Sequence, residues 1–316
     1  MSPELAVVGS LNMDLIASAP RIPAPGETII GHRFHTAAGG KGANQAVAAA
    51  RLGAQVSMIG RVGDDTYGQA QLSNLAADGV DTAFVKVDPN AHTGVALITV
   101  DDAGQNSIVV SSGANWQMSA ADVDAAEAAI AGADMLLLQL ETRPQVVARA
   151  AELAVRHGVP LLLNPAPARS LSSELLAQVT YLIPNESETA LLSGQAVTDL
   201  GSARNAARKL RQMGVATVVL TLGEQGALLI AEGLAEHVPA FAVDVVDTTA
   251  AGDAFVAGFA VAVASGQSLR EAMRFAAAAG ALATTKLGAQ PSLPDLEKVN
   301  RLLQGQVAPP VVRSNG

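Results

Sequence analysis

The run LAVVGSLNMD, residues 5–14, decides the fold class. It opens on four apolar residues without polar alternation, the pattern of a strand buried on both faces. Gly9 closes the run, and Asn12 and Asp14 follow with Met13 between them. Strands buried on both faces belong to parallel sheets covered by helices, and such sheets bind ligands at the carboxyl ends of their strands. Asn12 and Asp14 stand at that end. An amide and a carboxylate so spaced can hold adjacent sugar hydroxyls; an Asx turn accounts for the same pair without a ligand.

The rhythm continues outward. Apolar runs at 56–59, 135–140, 161–164, 181–183 and 215–221 alternate with helical periods at 43–52, 68–77, 120–131, 145–156, 187–192 and 202–213, with Gly or Pro at the joins. This alternation predicts a doubly wound α/β fold, a mostly parallel sheet flanked by helices. Two segments break it. Residues 16–36 are rich in proline and glycine, and 93–112, TGVALITVDDAGQNSIVVSS, read as a hairpin turning at DDAGQN. Together they predict a small antiparallel sheet standing off the main body, unless its strands are absorbed into the main sheet. It is apolar on both faces, so one face is expected to cover a ligand cleft and the other to meet a second subunit. The stretch FAAAAGALATT reads as a close-packed helix, and the terminal VAPPVVRSNG is expected to fray.

Composition narrows the function. The 316 residues are 49% hydrophobic and 16% charged, which excludes a disordered chain. No apolar run reaches the roughly 18 to 20 residues that a membrane-spanning helix needs. The net charge of −9 leaves no basic footprint for nucleic acid or an anionic membrane. Cysteine is absent, which removes disulfides, zinc thiolates and thiol nucleophiles. The opening MSPELAVVGS has no basic signal-type region, so the expectation is a cytoplasmic small-molecule enzyme. The P-loop, GxGxxG, HExxH and GxSxG patterns are all missing.

The stretch DTTAAGDAF, residues 247–255, leads into the apolar segment AFVAGFAVAVA. For a helix beginning near Ala250, the amides of Ala250, Ala251 and Gly252 are unpaired at the positive end of the helix dipole. Their small side chains admit a phosphate, so the amides can stabilise charge on a transferred phosphoryl group. Asp253 would sit beside them as a base. A weak base suffices, because in a loose transition state the attacking hydroxyl becomes acidic only as the new bond forms. Dipole complementation by Asp253 with Thr249 as cap explains the same residues.

Other segments bear on that choice. AAGGKGANQA, residues 37–46, opens a helix with glycines that admit a ligand to the backbone, and Lys41 and Asn44 supply polar contacts. Glu141 is a lone charge after the run MLLLQL. Asn185 and Glu188 in IPNESE stand on one face of a helix start, suited to magnesium held through water and phosphate, or to an N-cap with its box partner. TLGEQGA, residues 221–227, is a strand end with a glycine turn; in GDDTYG, Asp64 or Asp65 caps a helix. Trp116 and Tyr67 are taken as packing residues.

GGKGANQA and DTTAAGDAF, with NMD after the first strand and PNESE between, together resemble the ribokinase family of sugar kinases. The likeness runs over residues 7–293. It implies a single kinase domain, 1–316, with a β-sheet lid from about 13–37 and 93–113 that mediates a homodimer. It also implies transfer of the ATP γ-phosphate to a sugar hydroxymethyl, with O5 of D-ribose as the leading acceptor. Deoxyribose, fructose, a nucleoside and 2-keto-3-deoxygluconate are the other acceptors.

Carried over by motif, Asp253 is the base and Ala250, Ala251 and Gly252 form the anion hole. Asn12, Asp14, Gly40, Lys41, Asn44 and Glu141 bind the sugar. Asn185, Thr221, Gly223, Gly226 and Gly252 line the nucleotide site, and Glu188 helps to place Mg2+ through water. The resemblance further implies an activating K+ held by Asp247, Thr249, Ala283, Lys286, Gly288 and Ser292, largely through carbonyls. Ala250 departs from the glycine common there, and Lys286 is one of several residues found at its position. A sugar-binding regulator without turnover is the reading from another class, opposed by the retention of Asp253 and the glycines. An oxidoreductase lacks its dinucleotide fingerprint.

Overall fold

The computed structural model describes residues 2–306, so the terminal segment expected to fray lies outside the described residues. In chain order the strands are β1 (Glu4–Val8), β2 (Asn12–Ala19), β3 (Arg33–Gly39), β4 (Gln55–Gly63), β5 (Asp81–Asp88), β6 (Gly94–Asp101), β7 (Asn106–Ser111), β8 (Met135–Leu138), β9 (Leu161–Leu163), β10 (Tyr181–Leu182), β11 (Thr217–Thr221), β12 (Ala227–Ala231) and β13 (Leu234–Val238). The helices are α1 (Lys41–Arg51), α2 (Thr66–Ala77), α3 (Ala120–Asp124), α4 (Glu127–Gly132), α5 (Pro144–His157), α6 (Ser173–Gln178), α7 (Glu186–Ser193), α8 (Leu200–Gln212), α9 (Ala251–Ala264), α10 (Leu269–Ala283) and α11 (Leu296–Leu303).

Nine strands form one sheet in the order β13-β12-β11-β10-β9-β8-β1-β4-β5. It is parallel from β11 to β5 and antiparallel from β11 to β13. Successive side chains of a strand point to opposite faces. Leu5 and Val7 accordingly enter a core closed by α1, α9, α10 and α11, while Ala6 and Val8 enter a second core closed by α3 to α8. Two buried faces explain why the first strand is apolar without alternation. In the first core α9 is buried from Asp253 to Ala262. It lies close to α10, where a Cβ on Gly258 would come within 3.1 Å of the Ala276 backbone.

The chain passes from β1 to β4 and β5 on one side and returns through β8, β9, β10 and β11 on the other. The strand order therefore reverses between β1 and β8, which is where open α/β sheets bind ligands. β8 ends at Leu138 rather than at residue 140, so Gln139 and Leu140 leave the sheet at this crevice.

The second sheet, ordered β3-β2-β6-β7, is separate from the first, as expected, but it is mixed rather than antiparallel. β2 pairs antiparallel with β3, and β6 with β7, whereas β2 and β6 are parallel. The joining segment α1-β4-α2-β5 is a long crossover, which brings β6 back in the direction of β2. The single helix expected over 120–131 is two, α3 and α4, broken at Ala125 and Ala126. Trp116, expected to pack, is 41% exposed. Among the described residues no helix is long and apolar enough to cross a membrane.

Candidate active site

The ends of β1 and β8 meet at Glu141. Its carboxylate accepts a hydrogen bond from the Ser10 hydroxyl and another from the Lys41 amide at 3.1 Å. Gly40, just before Lys41, has φ 91°, and a Cβ there would lie 2.6 Å from the Asn12 nitrogen and 2.9 Å from the Ser10 carbonyl. Only glycine lets this turn press against the end of β1. Asn12 is buried, and its Oδ1 accepts from Asn115 Nδ2 at 2.7 Å; Asn115 also brackets the Leu11 backbone at 2.9 and 3.0 Å.

Three carboxylates, those of Asp253, Glu141 and Glu188, act on the Lys41 ammonium, and Asp14 faces two of them, Glu141 and Asp253. Burial, reinforced by the charges of Glu141 and Asp253, pushes the Asp14 carboxyl up to about 7. Burial alone would lower Lys41, but the carboxylates of Asp253, Glu141 and Glu188 outweigh it and hold the ammonium above its usual range. Glu188 is raised, chiefly by burial, against the opposing Asn185 amide and Lys41. The excess of negative charge suits a neutral, hydroxyl-rich ligand and disfavours one that already bears a phosphate.

Asp253 lies in the first turn of α9, buried, with an amide on each oxygen. Asn44 Nδ2 donates to Oδ2 at 3.0 Å and Gln45 Nε2 to Oδ1 at 3.0 Å. Asn44 Oδ1 is buried with no partner among the described residues, so one end of this amide holds Asp253 and the other is free to accept. The helix begins one residue later than expected: Ala250 is its N-cap in a left-handed conformation, φ 58°, and Ala251 is the first helical residue. The Ala251 amide donates to the Thr248 carbonyl at 3.2 Å, whereas no hydrogen bond from the amides of Ala250, Gly252 and Asp253 is found among the described residues. Thr249 does not cap the helix; its hydroxyl donates to Asp247 at 2.7 Å.

A cleft opens over this helix end, lined by Lys41, Asn185, Glu188, Thr221, Ala250, Gly252 and Asp253, among others. Asn185 and Glu188 form a capping box at the start of α7, with Asn185 Oδ1 accepting from the Glu188 amide at 2.8 Å and Glu188 Oε2 from the Asn185 amide at 2.9 Å. Thr221 ends β11 on the Pro184 carbonyl at 2.9 Å. Gly223 and Gly226 lie in the turn between β11 and β12, outside the cleft lining, both with positive φ.

Among the described residues no three acidic or histidine side chains cluster as a metal cage. One carboxylate acting through water, with substrate phosphates completing the shell, is a usual arrangement for Mg2+, and Glu188 beside the cleft fits it. Asp247 accepts from the Thr249 amide at 2.9 Å and from the Gly288 amide at 2.8 Å, which clasps the α9 approach to the loop holding Lys286 and Gly288. The Val246 and Asp247 amides both donate to the Thr284 carbonyl, next to Ala283. These oxygen-rich loops fit a monovalent ion. Ser292 is buried and its hydroxyl donates to the Ala289 carbonyl at 2.8 Å; no hydrogen bond among the described residues joins it to Asp247.

Five buried or half-buried polar residues complete the site without having been singled out from the sequence: Ser10, Gln45, Asn115, Gln139 and Asn164. Gln45 sits inside the motif GGKGANQA, where its neighbourhood was the available signal. Asn115 and Gln139 carried none.

A family model described as pfkB family carbohydrate kinase matches residues 2–296. A ribokinase of Haemophilus influenzae is 43% identical, over 96% of this chain and 99% of that enzyme. A deoxyribokinase of Salmonella typhi is 39% identical, over 95% and 98%. The solved structure of Arabidopsis thaliana ribokinase complexed with ribose and ATP superposes with a TM-score of 0.89 at 37% identity, over 96% of this chain and 99% of that one. Whole-length similarity of this order, on the same fold and with the helix-end aspartate and glycine turns in place, shows that the chain belongs to the pfkB family of carbohydrate kinases.

Proposed function

We propose that the protein is an ATP-dependent ribokinase, transferring the γ-phosphate of ATP to O5 of D-ribose to give D-ribose 5-phosphate. The observation that carries this reading is the placement of Asp253. Its buried carboxylate adjoins Asn44 on the sugar side and lies one residue from the free Gly252 amide at the cleft floor. The likeness to ribokinases, one of them solved with ribose and ATP, supports the choice of substrates.

In this reading Asn12, Asp14, Gly40, Lys41, Asn44 and Glu141 hold the sugar, and Asp253 accepts the O5 proton. The new O5–P bond forms as the bond from phosphorus to the ADP oxygen breaks, and the proton stays on Asp253. The amides of Ala250 and Gly252 stabilise the developing charge, while the Ala251 amide, which donates to the Thr248 carbonyl, would have to turn from it to contribute. Asn185, Thr221, Gly223, Gly226 and Gly252 form the nucleotide side. Glu188 would hold Mg2+ through water beside the cleft, and the ion would neutralise phosphate charge that the carboxylate-rich site otherwise repels. Asp247, Thr249, Ala283, Lys286, Gly288 and Ser292 would hold K+, which would steady the amide loop. Residues 1–316 form one kinase domain, with the small sheet as a lid that also joins two subunits. The abundance of ATP in the cytoplasm supports a reaction there.

The test is ADP release with D-ribose, 2-deoxyribose, fructose, adenosine and 2-keto-3-deoxygluconate, in potassium and in sodium. Ribose is expected to have the highest kcat/KM; equal or faster turnover of 2-deoxyribose would overturn the ribose assignment and leave the kinase class standing. Asp253→Ala is expected to lower kcat about 10²- to 10⁴-fold, the range typical of a lost acid–base group, with the fold intact by circular dichroism.

A further inference from the structure

Gln45 is a fully buried polar side chain to which the reaction as described gives no task. It lies at the centre of an amide chain that crosses the switch point of the sheet. Gln139, just past the end of β8, donates through Nε2 to Gln45 Oε1 at 2.6 Å. Gln45 Nε2 in turn donates to Asp253 Oδ1 at 3.0 Å and to Asn164 Oδ1, just past β9, at 3.2 Å. Asn164 is itself anchored by its Nδ2 on the Ile183 carbonyl at 2.9 Å.

The polarity of the chain is fixed at its acceptor end. Asp253 Oδ1 and Asn164 Oδ1 both call for a donor, and this turns the Gln45 Nε2 toward them and its Oε1 toward β8. An amide rotated the other way would set its oxygen against a carboxylate; Gln139, whose Oε1 has no partner among the described residues, presents its Nε2 to match. Asn44 already holds Oδ2, so Gln45 supplies the second point that defines the plane of the carboxylate.

We propose that Gln45 is a positioning residue for the reaction: held by Gln139 and Asn164, it locks the Asp253 carboxylate in the orientation and ionised form in which it takes the acceptor proton. This rests on Asp253 being the base. A hydrogen bond from a neutral amide to a buried carboxylate favours its charged form, and loss of the bond favours the protonated one. The other charged groups facing Asp253 are Lys41 on α1, Asp14 on β2 and Glu188 on α7, while Glu141, beyond β8, acts on Asp14 and Lys41. None of them is removed by changing Gln45.

The experiment measures kcat against pH at saturating sugar and ATP, KM for both substrates, and thermal unfolding, for Gln45→Leu, Gln45→Glu, Gln139→Leu and Asp253→Ala. Gln45→Leu is expected to lower kcat about ten- to a hundredfold, the scale of one hydrogen bond to a charged group, with little change in KM. Its acidic limb moves to higher pH. Gln45→Glu keeps the shape and sets a carboxylate against Asp253, so its limb moves further in the same direction. Gln139→Leu, which acts only through Gln45, gives the same sign with a smaller size. A fall in kcat equal at every pH, or an unchanged kcat, overturns the proposal, and in that case any loss of melting temperature marks Gln45 as a core residue only. If Gln45→Leu does not fold, the isosteric Gln45→Glu and the remote Gln139→Leu decide the matter. Full activity of Asp253→Ala would instead sink the base assignment, a failure visible separately from that of Gln45.

Discussion

Asp14 brings pH dependence to the sugar side. It is buried on β2 beside two other carboxylates and titrates at about 7, far above the ordinary aspartate range. Sugar hydroxyls donate best to the ionised form. Apparent sugar affinity should therefore weaken as pH falls from about 8 to about 6, and binding near neutrality should release protons. The sign for stability is opposite: with the folded value raised, this group's contribution is full below the unfolded value and is lost as pH rises through about 7, so the free protein loses stability there and sugar restores it. Calorimetry in buffers of different ionisation enthalpy checks the proton release, and Asp14→Asn should abolish it; a sugar KM flat across this range would refute the assignment. Asn12 and Asp14 were legible because polar residues directly after a doubly buried strand mark its ligand end. Gln45 and Gln139 were not, because an amide in a helix or loop carries no sign of burial until the elements pack.

At the scale of elements, the start of α9 stores strain. Ala250 is the only described residue other than glycine with positive φ, and it lines the cleft. A left-handed alanine costs roughly 1–2 kcal/mol, against roughly 0.5–1 kcal/mol of extra chain entropy for glycine. Ala250→Gly should thus leave stability unchanged or raise it by up to about 1 kcal/mol, with kcat within a few-fold. Ala250→Val, with a β-branched side chain in that conformation, should lower both, as measured by denaturant unfolding and turnover. The Asp247 clasp belongs to the same element. Burial raises this carboxyl, but hydrogen bonds from Thr249 and Gly288 prevail and hold it below the usual range, so it is an anion available to a cation. Turnover should be faster in potassium than in sodium, and Asp247→Ala should reduce both the rate and the potassium-to-sodium ratio, the latter to about one. The sequence located this helix through its apolar run, yet the clasp to Gly288 joins loops 41 residues apart and has no local signature.

Across the whole molecule, the second sheet shows what patterning can and cannot tell. The hairpin of β6 and β7 was legible from its turn residues, and residues 16–36 only as a break in the helical rhythm, but the parallel pairing of β2 with β6 was not, since it depends on how α1, β4, α2 and β5 return the chain. That pairing assigns the faces. Asp14 lies in register with Ala96 and Val110, and Ile16 with Ile98 and Ile108 two residues on, so these share the face that carries the sugar-side carboxylate. Leu15, Leu97 and Val109 lie in register on the opposite face, with Leu97 50% and Val109 62% exposed. Ile108 and Val110 on the first face are 51% and 46% exposed, so apolar side chains stand in water on both faces of the free chain; the face that carries Asp14 is the one a sugar can cover, and the outer face is assigned to the second subunit of the proposed homodimer. The two faces then give separable outcomes. Val109→Glu, alone or with Leu97→Glu, should shift the protein from dimer to monomer in sedimentation, since a charge buried in an apolar interface is strongly disfavoured. Ile108→Asp, one residue away but facing the cleft, should leave the dimer in place and raise the sugar KM, because it adds a carboxylate to a site already rich in them. A dimer that survives both outer-face charges would move the interface elsewhere, and a dissociating Ile108→Asp would mean that the lid turns its other side to the partner.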